Sequence, residues 1–364
     1  MSQPYDYGKI NAKLLAWYDK NARVLPWRND PSAYHVWISE IMLQQTRVEA
    51  VKGYYARFLK ALPDIESLAM APEDLLLKLW EGLGYYNRVR NMKKAAITIV
   101  EDYGRKMPET YEELQKLSGI GSYTAGAIAS ISFHRPVAAV DGNLLRVAMR
   151  LAADDSDITK QSVKKRLEQV LSEAMDKQRP GEWNQAMMDI GATVCIPNGA
   201  PHCGECPLKE LCLAYKKDLT DSLPVKSKKE KAKKQDRTVL LFRHGNRYAI
   251  RKRRDRGLLA GLWEFPNVEG HIPISEMERL LEGYGVEYEM SLLGEAVHVF
   301  SHVIWNMIGY GLELKDIPDS FAQGMISLEN VQSLDLTGLK WKTKEEIEAG
   351  YGIPSAFAFY KEKL

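Results

Sequence analysis

Four cysteines, Cys195, Cys203, Cys206 and Cys212, stand within eighteen residues of one another, and the 364-residue chain has no others. Four thiolates this close can saturate one tetrahedral zinc or ligate one iron–sulfur cluster. Zinc sites usually pair two short C-x2-C knuckles, and only Cys203 and Cys206 have that spacing, so the spacing favours neither metal. His202 adjoins Cys203 as a spare ligand, but four thiolates already close the site.

A second group carries hydrogen-bonding and acid–base chemistry. Leu117-Ser-Gly-Ile-Gly-Ser-Tyr-Thr-Ala125 nearly matches the dinucleotide fingerprint G-x-G-x-x-G. It fails because Thr124 stands in place of the third glycine and a helix-like segment precedes it. It reads instead as a turn between two helices, with Gly119 and Gly121 presenting backbone N–H groups to an anion such as a DNA phosphate, or simply as a helix cap. Further on, Asp141 ends the apolar run Val137–Val140 and is followed by Gly142-Asn143. It can cap the next helix, or stabilise a cationic sugar near the anion-binding turn. Glu40 is the only acid between Asp30 and Glu49 and has apolar neighbours, where its pKa would rise. With Gln44 and Arg47 it is expected on one helix face, either as an exposed polar stripe or as a functional edge whose adjacent amides suit base edges. Two separated carboxylates, Glu40 and Asp141, would make an acid–base pair for cleaving a glycosidic bond.

The elements that must position these residues differ between the halves. Apolar residues at three- and four-residue spacing predict helices over 36–62, 71–83, 95–103, 114–117, 124–132 and 163–175. After a Lys-rich stretch, 238–242 and 248–251 around His244-Gly245-Asn246 predict a hairpin, with further strand over 286–292 and 297–314 and short helices over 275–284 and 344–349. The expected organisation is an all-α domain over 1–221, a basic linker over 222–237 and a smaller α+β domain over 238–364. The formal charge is only +2, yet residues 222–237 alone carry +5, leaving the rest at −3. The linker's charges read as a solvated tether that would also hold phosphates loosely.

Composition narrows the class. At 45% hydrophobic and 27% charged, the chain is neither disordered nor a strongly basic coat protein. It has no run of about 18 apolar residues and no basic-then-apolar leader, so a cytoplasmic location with reduced thiols is expected.

Ser39-Glu40-Ile-Met-Leu-Gln44-Gln45-Thr46, Glu81-Gly-Leu-Gly-Tyr85-Tyr86, Gly126-Ala-Ile and Asn184-Gln185-Ala-Met-Met-Asp-Ile-Gly, together with the glycine hairpin near 112–132 and Asp141, resemble the helix–hairpin–helix DNA glycosylases, and among them the adenine-specific MutY family. The resemblance implies a mainly α helix–hairpin–helix glycosylase domain with an iron–sulfur cluster loop at 195–212, one 4Fe–4S cluster on the four cysteines, and a bacterial, nucleoid-associated monomer acting on double-stranded DNA. The first Cys gap is seven residues where the family has six. It further implies that Glu40 protonates adenine N7 and then aids water, while Asp141 supports the oxocarbenium-like sugar electrostatically or covalently. Tyr123 and Asn143 are placed beside the sugar, and Trp27, Arg28, Leu43, Gln45 and Gln185 in the adenine pocket, although some relatives have Glu at the last position. Gln44, Thr46, Arg47, Gly119 and Gly121 are placed on DNA, and Tyr85 as a wedge in the duplex. Bifunctional relatives carry Lys where Tyr123 stands; without that amine, base removal without efficient strand cleavage is expected.

Gly257-Leu-Leu-Ala-Gly-Leu-Trp263-Glu-Phe-Pro266 resembles a Nudix (MutT-like) domain. Ser275–Gly285 lacks the Arg-Glu and Glu-Glu array that holds magnesium, so a reader rather than a hydrolase is expected, with Phe300, Ser301 and His302 contacting 8-oxoguanine. His298 and His302 read as a strand-and-turn pair rather than a metal site. Two other functions stay open: a bifunctional glycosylase–lyase for oxidised pyrimidines, and a non-catalytic, zinc-stabilised DNA-damage binder.

Overall fold

The computed structural model describes residues 5–227, 232–282, 287–317, 325–328, 331–336 and 338–364. In chain order its helices are α1 (Asn11–Asn21), α2 (Ala33–Leu43), α3 (Val48–Ala61), α4 (Ile65–Met70), α5 (Glu73–Leu79), α6 (Asn87–Asp102), α7 (Tyr111–Leu114), α8 (Ser122–Phe133), α9 (Gly142–Ala152), α10 (Gln161–Ala174), α11 (Pro180–Thr193) and α12 (Leu213–Lys216). Among the described residues nine strands follow, β1 (Lys233–His244), β2 (Arg247–Lys252), β3 (Trp263–Glu264), β4 (Asn267–Glu269), β5 (Tyr288–Val299), β6 (Val303–Leu314), β7 (Met325–Leu328), β8 (Val331–Asp335) and β9 (Lys340–Thr343), with α13 (Ile274–Glu282), α14 (Lys344–Gly350) and α15 (Ala358–Lys361). Among the described residues, no helix is long and apolar enough to cross a membrane.

Two compact units emerge. One holds residues 1–71 and 90–228, the other 72–89 and 229–364, so the chain passes between them three times. Residues 72–89 pack with the second unit although they lie well inside the helical stretch.

The first unit is helical throughout. Its core gathers Ile10, just before α1, Leu14 of α1, Leu144, Ala148 and Met149 of α9, Leu171 of α10 and Trp183, Met187 and Ile190 of α11, all fully buried. Burying each of these leucine, isoleucine and methionine side chains contributes roughly 1.5–3 kcal/mol. Starts and stops follow local chemistry. Asp141 caps α9 by accepting from the Leu144 N–H, Thr110 caps α7 in the same way, and Pro180 opens α11, where its missing N–H costs nothing. The helix expected over 36–62 is broken. α2 ends at Leu43, Gln45 adopts a left-handed φ of 59°, and α3 begins at Val48. Glu40, Gln44 and Arg47 therefore do not share one helix face: Gln44 ends α2 and Arg47 precedes α3.

In the second unit, seven strands form a mixed sheet in the order β3-β2-β1-β6-β5, with β4 also on β1 and β9 also on β2. β7 (Met325–Leu328) and β8 (Val331–Asp335) pair separately. β2 (Arg247–Lys252) follows β1 through the expected hairpin. β1 then runs parallel to β6 (Val303–Leu314), from Lys233 opposite Val303 to Arg243 opposite Glu313. Alternation sends Val239 and Leu241 into one core with Trp305 and Met307, and Leu240 and Phe242 into another with Tyr310 and Leu312. This pairing also corrects the linker: Lys233–Arg237 are strand, because β6 supplies eleven residues of continuous register. Residues 228–231 of the expected linker lie outside the described residues. The strand expected over 297–314 is two, β5 (Tyr288–Val299) and β6, joined by the turn at 300–302. Val286 of the strand expected over 286–292, and residues 283–285 of the segment compared with the magnesium-binding helix, also lie outside the described residues.

Candidate active site

A cleft of about 580 Å³ opens in the first unit between the end of α2, the start of α8, the start of α9 and α11. Glu40 enters it from α2 and is only 6% exposed. Desolvation pushes its carboxyl up to about 7, and the nearby Asp141 adds to this, while the Tyr123 hydroxyl and Arg28 hold it down. Tyr123 donates its hydroxyl to Glu40 Oε2. Burial keeps that phenol protonated far above its ordinary range, so the donor role is fixed at any working pH.

Asp141 faces the same cleft. Its Oδ1 accepts from the Leu144 N–H at 2.7 Å and its Oδ2 from Asn143 Nδ2 at 2.7 Å. These donors favour the carboxylate, but desolvation outweighs them and leaves its pKa above the usual range. The cap and the cleft carboxylate are therefore one residue. Asn143 is oriented in turn by Arg146, whose Nη2 donates to Asn143 Oδ1 at 2.9 Å and to the Gly191 carbonyl at 2.6 Å.

Trp27, Arg28, Leu43, Gln45 and Gln185 line the cleft as well. Arg28 is held by Asp189, which is completely buried and receives both Arg28 Nη1 at 2.8 Å and Nη2 at 2.9 Å. Arg23 Nε donates to the same carboxylate at 2.6 Å. Tyr18 donates to Gln185 Oε1 at 3.0 Å. Sequence reasoning missed Asp189, Arg23, Arg146 and Tyr18. The only signal is that Asp189 lies in the Asn184–Gly191 stretch that carries the family resemblance, since the acid that pairs with Arg28 and Arg23 is more than 160 residues away from them.

Gln44 and Thr46 reach the cleft rim, with Gln44 Nε2 at 3.5 Å from Thr124 Oγ1. Arg47, Gly119 and Gly121 are not among its lining residues. Gly119 is needed where it stands: its φ is +77°, and a Cβ there would lie 2.6 Å from the Asn91 Cβ. Gly121 has ordinary extended backbone and caps α8; the first N–H groups of such a helix have no intrahelical acceptor and suit an anion.

Cys195, Cys203, Cys206 and Cys212 surround one small cavity beside Arg150. Arg150 Nη1 lies 3.2 Å from Cys195 Sγ, and Arg146 Nε donates to the Cys195 carbonyl at 2.6 Å. Among the described residues, no three His, Cys, Asp or Glu side chains come together closely enough to hold a single ion. One zinc would draw all its sulfurs to about 2.3 Å from one point. Four thiols spread around a cavity fit a polynuclear iron–sulfur core, which is held from its outside.

The second unit carries the other predicted residues. Phe300 is half-buried, and Ser301 and His302 are exposed on the β5–β6 turn. Tyr85, with a left-handed φ of 49°, places its hydroxyl 2.7 Å from Ser301 Oγ. Arg88 braces that loop through the Leu83 and Gly84 carbonyls and lies over the Tyr85 ring. The predicted wedge and the predicted base-reading turn thus belong to one surface.

Comparison with known proteins fits this geometry. The family model described as HhH-GPD superfamily base excision DNA repair protein matches residues 38–173, and a NUDIX domain matches 237–362. The adenine DNA glycosylase of Mus musculus is 36% identical over 400 residues, spanning 94% of this chain and 75% of its own. That of Buchnera aphidicola subsp. Schizaphis graminum is 32% identical over 342 residues, spanning 94% and 95%. A solved non-covalent endonuclease III–DNA complex matches with a TM-score of 0.50 at 25% identity, over 60% of this chain and 99% of that one. The chain carries a helix–hairpin–helix glycosylase domain and a Nudix domain, and it belongs to the adenine DNA glycosylase family of base excision repair enzymes.

Proposed function

We propose that this enzyme excises adenine paired with 8-oxoguanine or guanine in double-stranded DNA by hydrolysing the N-glycosidic bond, without cutting the strand. The observation that carries the reading is the pair of carboxylates in one cleft, buried Glu40 and half-buried Asp141, with Glu40 held near a pKa of 7. An acid so tuned is protonated for much of the time at neutral pH and can deliver its proton to adenine N7 as the base departs. Asp141 faces the sugar and stabilises the positive charge that develops there. Asn143 and Arg146 hold Asp141 in orientation. Trp27, Arg28, Leu43, Gln45 and Gln185 receive the flipped base, and the hairpin amides at Gly119 and Gly121, with Gln44, Thr46 and Arg47, hold the strand. Tyr85 fills the space the base leaves. Tyr123, tied to Glu40, offers no amine for a Schiff base, which supports base removal alone.

Cys195, Cys203, Cys206 and Cys212 would hold one 4Fe–4S cluster, which when bound ties the C-terminal loop of the helical unit into its fold. Phe300, Ser301 and His302 read 8-oxoguanine. The enzyme works as a monomer.

The test is a single-turnover assay on A:8-oxoG and A:G duplexes, followed by alkali and, separately, by borohydride trapping. Alkali-dependent strand breaks without a trapped protein–DNA adduct are expected. A trapped adduct, or breaks without alkali, would sink the monofunctional reading.

A further inference from the structure

A turn that distinguishes two bases differing by one oxygen must be fixed before the DNA arrives, because selectivity is a difference between two binding energies and mobility erodes it. Backbone bonds hold the ends of the turn: the Phe300 N–H donates to the Val303 carbonyl at 2.8 Å, and the Lys233 N–H to the His302 carbonyl at 2.9 Å. Its aromatic side chain rests on something less ordinary. The Phe300 ring meets the Trp305 indole edge-on at 4.9 Å, and Trp305 is 1% exposed. The Arg237 guanidinium lies over that same indole, 4.2 Å from its centroid. Arg237 Nη1 donates to Asn267 Oδ1 at 2.6 Å, and Asn267 Nδ2 to Glu264 Oε2 at 2.7 Å.

Glu264 is completely buried. Its Oε1 receives Arg251 Nε at 2.9 Å, and its Oε2 receives Arg253 Nη1. A buried carboxylate is tolerated only when such donors satisfy it, and it then makes a rigid anchor. Glu264 belongs to the Trp263-Glu-Phe-Pro266 segment, for which base excision gives no use. We propose that Glu264, Asn267, Arg237 and Trp305 are positioning residues for the base-reading turn: the buried carboxylate fixes Arg237 through Asn267, and Arg237 fixes the indole against which Phe300 packs. This rests on the turn being the 8-oxoguanine reader proposed above.

The test compares single-turnover adenine excision from A:8-oxoG and A:G duplexes, using the full-length protein well below its melting temperature. Arg237→Met keeps the bulk of the side chain and removes the cation. It should lower the ratio of the two rates by about tenfold, the scale of one partly desolvated cation–π contact, with the A:G rate little changed. Arg237→Lys keeps a cation over the indole and should restore most of the ratio. An unchanged ratio in Arg237→Met, or an equal loss on both duplexes, overturns the proposal; a merely structural residue would lower the melting temperature and leave the ratio alone. Glu264→Gln should act in the same direction, and if it fails to fold, the two Arg237 variants still decide. Ser301→Ala separates the two layers. If it leaves the ratio intact, the reader assignment falls and this inference with it; if it lowers the ratio while Arg237→Met does not, only this inference falls.

Discussion

The cleft around Glu40 and the sheet of the second unit each hold a buried acid, Glu40 and Glu264, but partner it oppositely. In the cleft, Glu40 and Asp141 are under-neutralised, and desolvation raises both of their pKa values. In the second unit Glu264 is fully buried, yet two arginines and an asparagine saturate it. Proton transfer needs a carboxyl that is nearly as content with its proton as without it, and that means leaving donors out. Reading a base needs fixed geometry, and that means supplying all of them. Asp189 follows the second pattern inside the first unit, where it holds Arg28 and Arg23.

That contrast can be broken most sharply at Glu40. Glu40→Gln should slow single-turnover excision by about 10²–10⁴-fold, the range for a lost general acid; a wild-type rate would remove Glu40 from the chemistry. Asp189→Asn is next. It leaves two guanidiniums facing a neutral buried amide, and loss of about 3–5 kcal/mol is expected in denaturant unfolding. Retained stability would mean that Arg23 and Arg28 find other partners.

Two smaller effects come from pH. The excision rate should decline as pH rises through about 7, where Glu40 gives up its proton. Because the Tyr123 hydroxyl holds that pKa down, Tyr123→Phe should move the declining limb to higher pH, and a limb left in place would break the link between the two residues. Stability carries the same sign. Folded Glu40 keeps its proton to about pH 7, against an ordinary value of 4.5. Folding therefore takes up a proton between these values, and stability falls as pH rises through that window. Glu40→Gln, with no charge to bury, should unfold later than wild type above pH 7, by up to about 3 kcal/mol, and equally below pH 4.5. Thermal melts at the two pH values check this.

Much of the site was legible because its residues are locally odd. Glu40 is a lone acid in an apolar run, and the cysteines crowd into one loop. What was not legible depends on distant partners. The kink after α2 comes at Gln45, a residue type that gives no warning of a left-handed backbone, and the helical periodicity runs on past it. Lys233 and Lys234 look like tether because the strand that orders them begins seventy residues later at Val303. Arg28 was placed in the cleft by resemblance, but the acid that aims it is 161 residues away. At Gln45 and at Lys233–Arg237 the isolated segment points one way and the folded chain goes another, whereas at Arg28 the segment gives the residue but not the acid that aims it.

The three passages of chain between the two units have a practical consequence. Cutting the polypeptide near residue 228 would sever one connection and leave two, at 71–72 and 89–90, inside the N-terminal fragment. That fragment would still carry 72–89, whose Leu76, Leu77 and Trp80 are buried in the intact protein and whose unit would be gone. A shortened form would thus present newly wetted apolar surface and invite chaperones and proteases.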